Sequence, residues 1–193
     1  MQLDTIRQFN WADIFVVILL LRIGYIALKS GLTIELFKLL GITLATYLSL
    51  HYYIAWAGFM QGLGAMKKIP LEFLSFVSFL ALAVLGYLIF VVLRSLFYRF
   101  IKMEAVPNLN KWGGFVLGIA RAILLASLIM FSLVISPISY FKNSFNGAYL
   151  GKRILKVSPI TYSLIWNNLA SKFMAKEKFN EAVLSAQEEL TQK

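Results

Sequence analysis

Residues 71–93 read LEFLSFVSFLALAVLGYLIFVVL, an apolar stretch whose one charged residue, Glu72, lies near its beginning. As an α-helix this stretch is about 34 Å long, close to the roughly 30 Å thickness of the hydrocarbon core of a bilayer. Only helices and closed barrels satisfy their backbone hydrogen bonds inside lipid. The stretch therefore predicts a transmembrane helix.

Three further apolar runs predict three more spans, at 11–28, 32–53 and 112–135. Asp13 lies in the first turn of the first run, where a carboxylate meets the positive end of the helix dipole. A Gly-rich stretch, 58–64, predicts the connection between the second and third spans. The predicted fold class is all-α: an integral membrane protein with about four transmembrane helices and a C-terminal amphipathic helical tail.

The composition indicates a lipid environment, since 60% of the 193 residues are hydrophobic and 15% are charged. Soluble domains carry roughly 25% charged residues. The formal net charge is +10, and many of the bases lie between the apolar runs, as Lys67, Lys68 and Lys111 do. Bases at those places follow the positive-inside rule, whereas nucleic-acid binding requires a basic stripe on a polar segment. We therefore predict the lipid bilayer as a partner and no nucleic acid.

Catalytic and metal-binding signals are weak in this sequence. The chain has no cysteine and one histidine, His51, and the carboxylates before the tail are widely separated. They are Asp4, Asp13, Glu35, Glu72 and Glu104. No Ser–His–Asp arrangement, metal-ligand spacing or phosphate-binding Gly loop follows from these residues. We predict no enzyme activity, cofactor or metal, and we assign no small-molecule substrate. We interpret His51 as a polar tip at the membrane interface, with proton handling as the alternative.

The character of the chain changes after residue 137. Residues 138–193 mix basic and aromatic side chains, and apolar residues such as Leu164, Leu169 and Phe173 recur there at roughly helical spacing among Lys and Glu. This segment is too charged to span a bilayer. We predict two domains: a four-helix transmembrane domain, 1–137, and a basic, amphipathic helical tail, 138–193, that lies on the membrane surface or packs on a partner.

Four charged residues lie within or close to the apolar runs: Arg22, Glu35, Lys38 and Arg121. Because helices that alternate in direction place all four in the same half of the bilayer, they lie within reach of one another. A charge at mid-bilayer costs at least a few kcal/mol, so such residues need partners. We predict a buried polar cluster in which Glu35 accepts from Arg22, Arg121 or both. The alternative is that Arg22 and Lys38 reach the headgroups independently and Arg121 alone is buried.

Small residues at four-residue intervals indicate close helix contacts, because helices inside lipid are held together by dispersion forces and hydrogen bonds. The second span carries Gly41, Ala45 and Ser49, and the fourth carries Gly114, Gly118 and Ala122 in a GxxxG-type pattern. We predict that these two stripes face each other inside the bundle, with a dimer interface as the alternative.

Two stretches carry a resemblance to a known family. Residues 22–41 read RIGYIALKSGLTIELFKLLG, and residues 111–129 read KWGGFVLGIARAILLASLI. A basic residue and Gly before a turn, a Glu that opens the next helix, and a later helix with Gly and Arg resemble the colicin V production protein family over about 11–137. The chain differs from the family pattern just before the fourth helix, where an Asp is common and this chain has Asn108, Asn110 and Lys111, and at Ala122, where Gly is usual.

The resemblance implies a non-enzymatic, multi-pass protein of the bacterial inner membrane that is accessory to toxin production or export, or to envelope homeostasis. Its protein partner is then itself or another membrane protein. The alternative function is a transporter or channel component in which Arg22, Glu35 and Arg121 line a polar path. From the distribution of bases near the spans we predict periplasmic termini.

Overall fold

The structure of this chain is a computed structural model. Its described residues are 10–100, 107–138, 140–141, 148–174 and 176–191. Asp4 and Glu104, which were named above as isolated carboxylates, lie outside them. Every regular element in these ranges is helical, so the predicted all-α fold class is confirmed.

Four long helices form a bundle, and each is long and apolar enough to cross a membrane. They are α1 (Trp11–Ser30), α2 (Leu32–Gly62), α3 (Leu71–Phe100) and α4 (Pro107–Ile135). The following helices are α5 (Tyr149–Leu155), α6 (Val157–Ile165) and α7 (Ala182–Thr191). Helix α6 continues through a π-helical turn, Trp166–Ala170, and the helical residues Ser171–Phe173.

The turn between α1 and α2 is made by Gly31 alone, whose φ of 82° favours glycine. The side-chain oxygen of Asn110 accepts a hydrogen bond from the Leu32 N–H at 2.7 Å, which caps α2. A Cβ on Gly31 would lie 2.6 Å from that oxygen. Both the positive φ and the close approach of Asn110 therefore require glycine at position 31. The hydrogen bond between Asn110 and Leu32 also joins the start of α4 to the α1–α2 turn.

Helix α2 is longer than predicted, because it runs through Gly58 to Gly62 instead of ending near Tyr53. The prediction of a connection beginning at Gly58 is wrong. Glycine inside a helix costs only about 1 kcal/mol relative to alanine. Burial of Tyr53 and Ala57 against neighbouring side chains outweighs this cost.

Three helix pairs make the extensive contacts of the bundle: α2 with α3, α1 with α4, and α2 with α4. Helices α3 and α4 touch each other only slightly. Helix α2 therefore lies at the centre of one half of the bundle, and α3 and α4 flank it with a gap between them.

The segment after α4 packs onto the bundle. Tyr162, Trp166 and Val183 share one hydrophobic core with Leu50 of α2 and Phe131 of α4. The predicted boundary at residue 137 therefore separates two parts that share one core. Of the apolar residues that were predicted to form one face of the tail, Leu164, Leu169 and Phe173 are exposed on the outer side of α6 and its extension, whereas Ile165, Phe179 and Val183 pack into the core.

Candidate functional site

A group of three charged side chains lies just inside the α1–α2 turn. Glu35 is fully buried in the first turn of α2, and its Oε1 lies 2.6 Å from Nζ of Lys38, one turn further along the same helix. Its Oε2 lies 2.9 Å from Nε of Arg121, which comes from α4 and is also buried. Lys38 reaches back to the Ser30 hydroxyl as well. We call Glu35, Lys38 and Arg121 the Glu35 cluster.

The two contacts of Glu35 differ in kind. Lys38 donates a hydrogen bond to the carboxylate, whereas the Nε–H of Arg121 is not directed at Oε2, so this contact is an ion pair without a hydrogen bond. One carboxylate between two cations leaves a surplus of one positive charge. Inside a low-dielectric bundle such charges persist only with partners, so Glu35 is the residue on which the two cations depend.

Arg22 is not part of the Glu35 cluster, in contrast to the prediction. Its side chain is exposed, whereas Ile23, Gly24 and Ala27 on the same helix are buried. Similar depth was the basis of the prediction, but the direction of a side chain depends on the rotation of the helix about its axis. At 3.6 residues per turn, Arg22 points away from the face that α1 presents to α4.

The two stripes of small residues do not face each other. A Cβ on Gly118 would collide with the Cβ of Ala27 in α1, and a Cβ on Gly114 would lie 2.8 Å from the carbonyl carbon of Gly31. On α2, Gly41 lies against Tyr87 and Phe90 of α3. Ala45, Ser49 and Ala122 are buried. The fourth helix therefore uses Gly118 to approach α1 and Gly114 to approach the α1–α2 turn, and the second helix uses Gly41 to approach α3.

Gly86 of α3, which lies outside both predicted stripes, makes a close helix contact of its own. A Cβ on Gly86 would lie 2.6 Å from Cα and 2.9 Å from N of Ala45. The neighbour is backbone, which cannot move aside. No second small residue lies four positions away from Gly86, so the sequence shows no stripe there and this contact was not predicted.

Asp13 joins the start of α1 to the start of α5. Its carboxylate accepts hydrogen bonds from the backbone N–H groups of Tyr149 at 3.0 Å and Gly151 at 2.9 Å, and it also closes the capping box with Asn10. The side chain is fully buried. The predicted role of Asp13 at the N-terminus of α1 therefore accounts for only part of its contacts.

A second polar network lies at the other end of α2 and involves His51. Its Nδ1 lies 2.8 Å from the Tyr162 hydroxyl, and its Nε2 lies 2.7 Å from Oε2 of Glu177. Tyr52 donates to the same carboxylate, and the backbone N–H of Asn180 donates to the Tyr162 hydroxyl at 3.0 Å. We call His51, Tyr52, Tyr162, Glu177 and Asn180 the His51 network.

The Tyr162 hydroxyl accepts a hydrogen bond from the backbone N–H of Asn180, which leaves its proton to donate to Nδ1 of His51. In the tautomer assigned from these neighbours, Nε2 of His51 donates to Glu177. Burial raises the pKa of Tyr162, which keeps its phenol protonated at neutral pH. The hydrogen bond from Tyr52 is the main cause that lowers the pKa of Glu177, which keeps the carboxylate ionised. The network holds the segment after α6 against α2.

His51 is buried and bonded at both ring nitrogens, so the interpretation of an interfacial polar tip is not what the structure shows. Indole and phenol rings enclose the imidazole, since Tyr47 and Trp166 stack on it with ring centroids 5.2 and 5.1 Å away. Tyr162 and Glu177 were missed as partners because they lie more than 100 residues away in sequence. The aromatic residues of the tail were the available signal.

Acidification is expected to loosen the segment that carries Glu177. The pKa of the Glu177 carboxyl group is lower in the folded protein than its value of about 4.3 in the unfolded chain. The ionised carboxylate therefore stabilises the folded form fully above the unfolded pKa, and this stabilisation is lost as the pH falls through the lowered pKa of the folded form. Because the Glu177 side chain is 37% exposed, the contact contributes about 1 kcal/mol or less. Spin labels on cysteines at Lys68 and Lys178 should show one narrow distance at pH 7 and a broader distribution below about pH 4.

In the same pair of labels, Glu177→Ala should broaden the distribution already at pH 7. Glu181→Ala removes an exposed carboxylate of the same segment and should leave the distance unchanged. Equal distributions at pH 7 and below pH 4 would show that Glu177 does not hold this segment.

The four long apolar helices, the ion pair between α2 and α4 and the packed segment that follows define a helical membrane protein. A model of the family described as Colicin V production protein matches residues 12–159, from the start of α1 into α6. The chain belongs to the colicin V production protein family, which is not known as a family of enzymes. No curated protein and no solved structure matches the chain.

Proposed function

We propose that this chain is a non-enzymatic, multi-pass protein of the bacterial inner membrane that acts through helix contacts as an accessory factor in toxin production or export and in envelope homeostasis. The family match supports the link to toxin production. The four long apolar helices support the multi-pass arrangement.

The observation that carries the scaffold role is the state of Glu35. Both of its oxygens contact cations, at 2.6 and 2.9 Å, and the residue is fully buried. A carboxylate held in this way is not free to bind a solute, whereas buried ion pairs between helices are suited to fixing helix register. The cluster thus favours a fixed arrangement of α1, α2 and α4 that presents a constant surface to another membrane protein or to a second copy.

The competing hypothesis is a transporter or channel component in which Arg22, Glu35 and Arg121 line an aqueous path. Arg22 points away from the other two, which argues against a shared path.

Because the chain contains no cysteine, single cysteines at Ile42 and Leu125 can report water near Arg121. In membranes open on both sides, a membrane-impermeant thiol reagent should label a control cysteine at exposed Lys68 and leave these two unlabelled. Labelling of the cysteines at both Ile42 and Leu125 would favour the aqueous path.

The function itself is tested in a toxin-producing strain that lacks this protein. We expect secreted toxin to fall and to recover when the parent chain is supplied in trans. Comparison of toxin inside and outside the cells separates production from export, and sensitivity to detergent reports envelope integrity. Unchanged toxin secretion together with unchanged envelope integrity would overturn the proposal.

Membrane orientation is expected to follow the predicted topology, with periplasmic termini and a cytoplasmic α1–α2 turn. In intact cells an impermeant thiol reagent should label a cysteine at Lys68, between α2 and α3. A cysteine at Lys29, beside the α1–α2 turn, should be labelled only after permeabilisation. The opposite pattern would place the termini in the cytoplasm.

A further inference from the structure

A cavity of about 400 Å³ opens between α3 and α4, where these two helices make little contact. Helix α3 lines it from Phe79 to Leu88, helix α4 lines it from Arg121 to Ser132, and Ile42 of α2 forms its floor. At its mouth Leu80, Val84 and Leu88 are 40 to 58% exposed. In a membrane such a mouth opens sideways to lipid. We call this cavity the α3–α4 groove.

The dimensions of the groove limit what fits inside it. The lining stretches of α3 and α4 are roughly 14 to 16 Å long at 1.5 Å per residue, about half the thickness of a bilayer core. A volume of about 400 Å³ spread over that length makes a long, narrow space, which suits one extended hydrocarbon chain.

The two ends of the groove differ in chemistry. At the far end the rings of Phe79 and Phe131 lie 5.6 Å apart. At the near end lies the buried Arg121, whose Nε is 2.9 Å from Oε2 of Glu35. Among the described residues Glu35 is the ion-pair partner of this guanidinium, and its Nε is a buried nitrogen without a hydrogen bond to a described residue. A guanidinium beside apolar walls is costly without an anion.

Further positive charge lies beyond Arg121. A smaller cleft, lined by Lys38 and Arg94, adjoins the groove at Tyr87, which lines both. Three cations and the carboxylate of Glu35 leave a surplus of two positive charges at this end. Basic pockets between transmembrane helices suit the phosphate groups of anionic lipids, and Arg forms strong charge-assisted hydrogen bonds with phosphate.

We propose that the α3–α4 groove binds one acyl chain of an anionic membrane phospholipid, whose phosphate lies at the Arg121 end near Lys38 and Arg94. The chain then runs toward the Phe79 end, over about the depth of one leaflet. This orientation places the headgroup on the side of the α1–α2 turn. The bound lipid fills the gap between α3 and α4 and supplies the anion that the surplus positive charge requires.

The test measures lipid binding to the purified full chain in detergent by native mass spectrometry. Phosphatidylglycerol is titrated against phosphatidylcholine with the same acyl chains. We expect the parent chain to retain one phosphatidylglycerol with an apparent affinity at least tenfold higher than for phosphatidylcholine. Equal binding of the two lipids would overturn the proposal.

Two variants separate the acyl site from the headgroup site. Ala83→Phe places a ring in the groove and should lower phosphatidylglycerol affinity at least tenfold, whereas its matched control Ala81→Phe, exposed on α3 outside the groove, should bind like the parent. Arg94→Gln leaves the groove open and should weaken phosphatidylglycerol severalfold without changing phosphatidylcholine.

The contrary outcomes are equally definite. If Ala83→Phe retains phosphatidylglycerol as Ala81→Phe does, the groove is not the acyl site. If Ala83→Phe fails to fold, the Arg94→Gln variant alone tests the proposal. If that variant loses affinity for phosphatidylglycerol and phosphatidylcholine to the same extent, or keeps its affinity for both, the headgroup site is rejected. A dimer that Ala83→Phe dissociates, with no dependence on lipid charge, would show that a protein segment occupies the groove and would overturn the proposal.

Discussion

Glu35→Gln is expected to destabilise the folded chain by about 3 to 5 kcal/mol, the cost of breaking a buried ion pair on one side only. The substitution keeps the size of the side chain and removes its charge, so the buried Arg121 loses its ion pair with Glu35. Lys38 is less affected because its ammonium already reaches the Ser30 hydroxyl. Thermal unfolding of the purified protein in detergent, together with its level in membranes, measures the loss.

Glu72→Gln is the matched control, because Glu72 carries the same charge but is exposed in the first turn of α3. It should unfold like the parent. Arg121→Leu should partly rescue Glu35→Gln, since removal of both charges also removes their desolvation cost. Arg22→Leu should not rescue it, because Arg22 lies on another face of the bundle. Glu35→Gln with the stability of Glu72→Gln would show that the Glu35 cluster contributes nothing.

Gly118→Leu and Gly86→Leu are each expected to destabilise the bundle by about 1 to 3 kcal/mol or more through overpacking. The first forces α4 away from Ala27 of α1, and the second forces α3 away from the backbone of Ala45 in α2. Both contacts hold helices together by close backbone approach, which a large side chain prevents. Thermal unfolding in the same detergent measures both.

Gly58→Leu is the control, because a Cβ there meets nothing within 4 Å, and it should be neutral or slightly stabilising. The pairing of Gly118 with α1 is tested by exchange of side chains. Gly118→Ala alone should destabilise, and Ala27→Gly should restore stability to it. Rescue by Ala45→Gly instead would mean that α4 packs its stripe on α2, as the sequence pattern predicted.

The charged residues show where prediction from sequence succeeds and where it stops. Burial of Glu35 and Arg121 was predicted from their place inside apolar runs, because lipid gives a charge no other favourable environment. The sequence offered both Arg22 and Arg121 as partners. The depth of a residue in the bilayer follows from its position along the helix. Which of the two arginines pairs with Glu35 depends on the rotation of α1 about its axis, and only the packing of α1 against α4 fixes that rotation.

The glycines show the same limit. Close helix contacts were predicted from Gly114 and Gly118, and both glycines lie at such contacts. The partner helix was not determined by the pattern, since a small residue permits close approach to any helix. Gly86 gave no signal because no second small residue lies four positions away from it in the sequence.

The sequence by itself determined the all-α class and the four apolar helices, because hydropathy and length are properties of each segment alone. It also determined which charges must find partners. Only the tertiary structure decided that Glu35 pairs with Arg121, that the tail covers His51, and that α3 and α4 leave a groove between them. These features depend on helix rotation and on contacts between residues far apart in the chain, and those are fixed when the whole bundle packs at once.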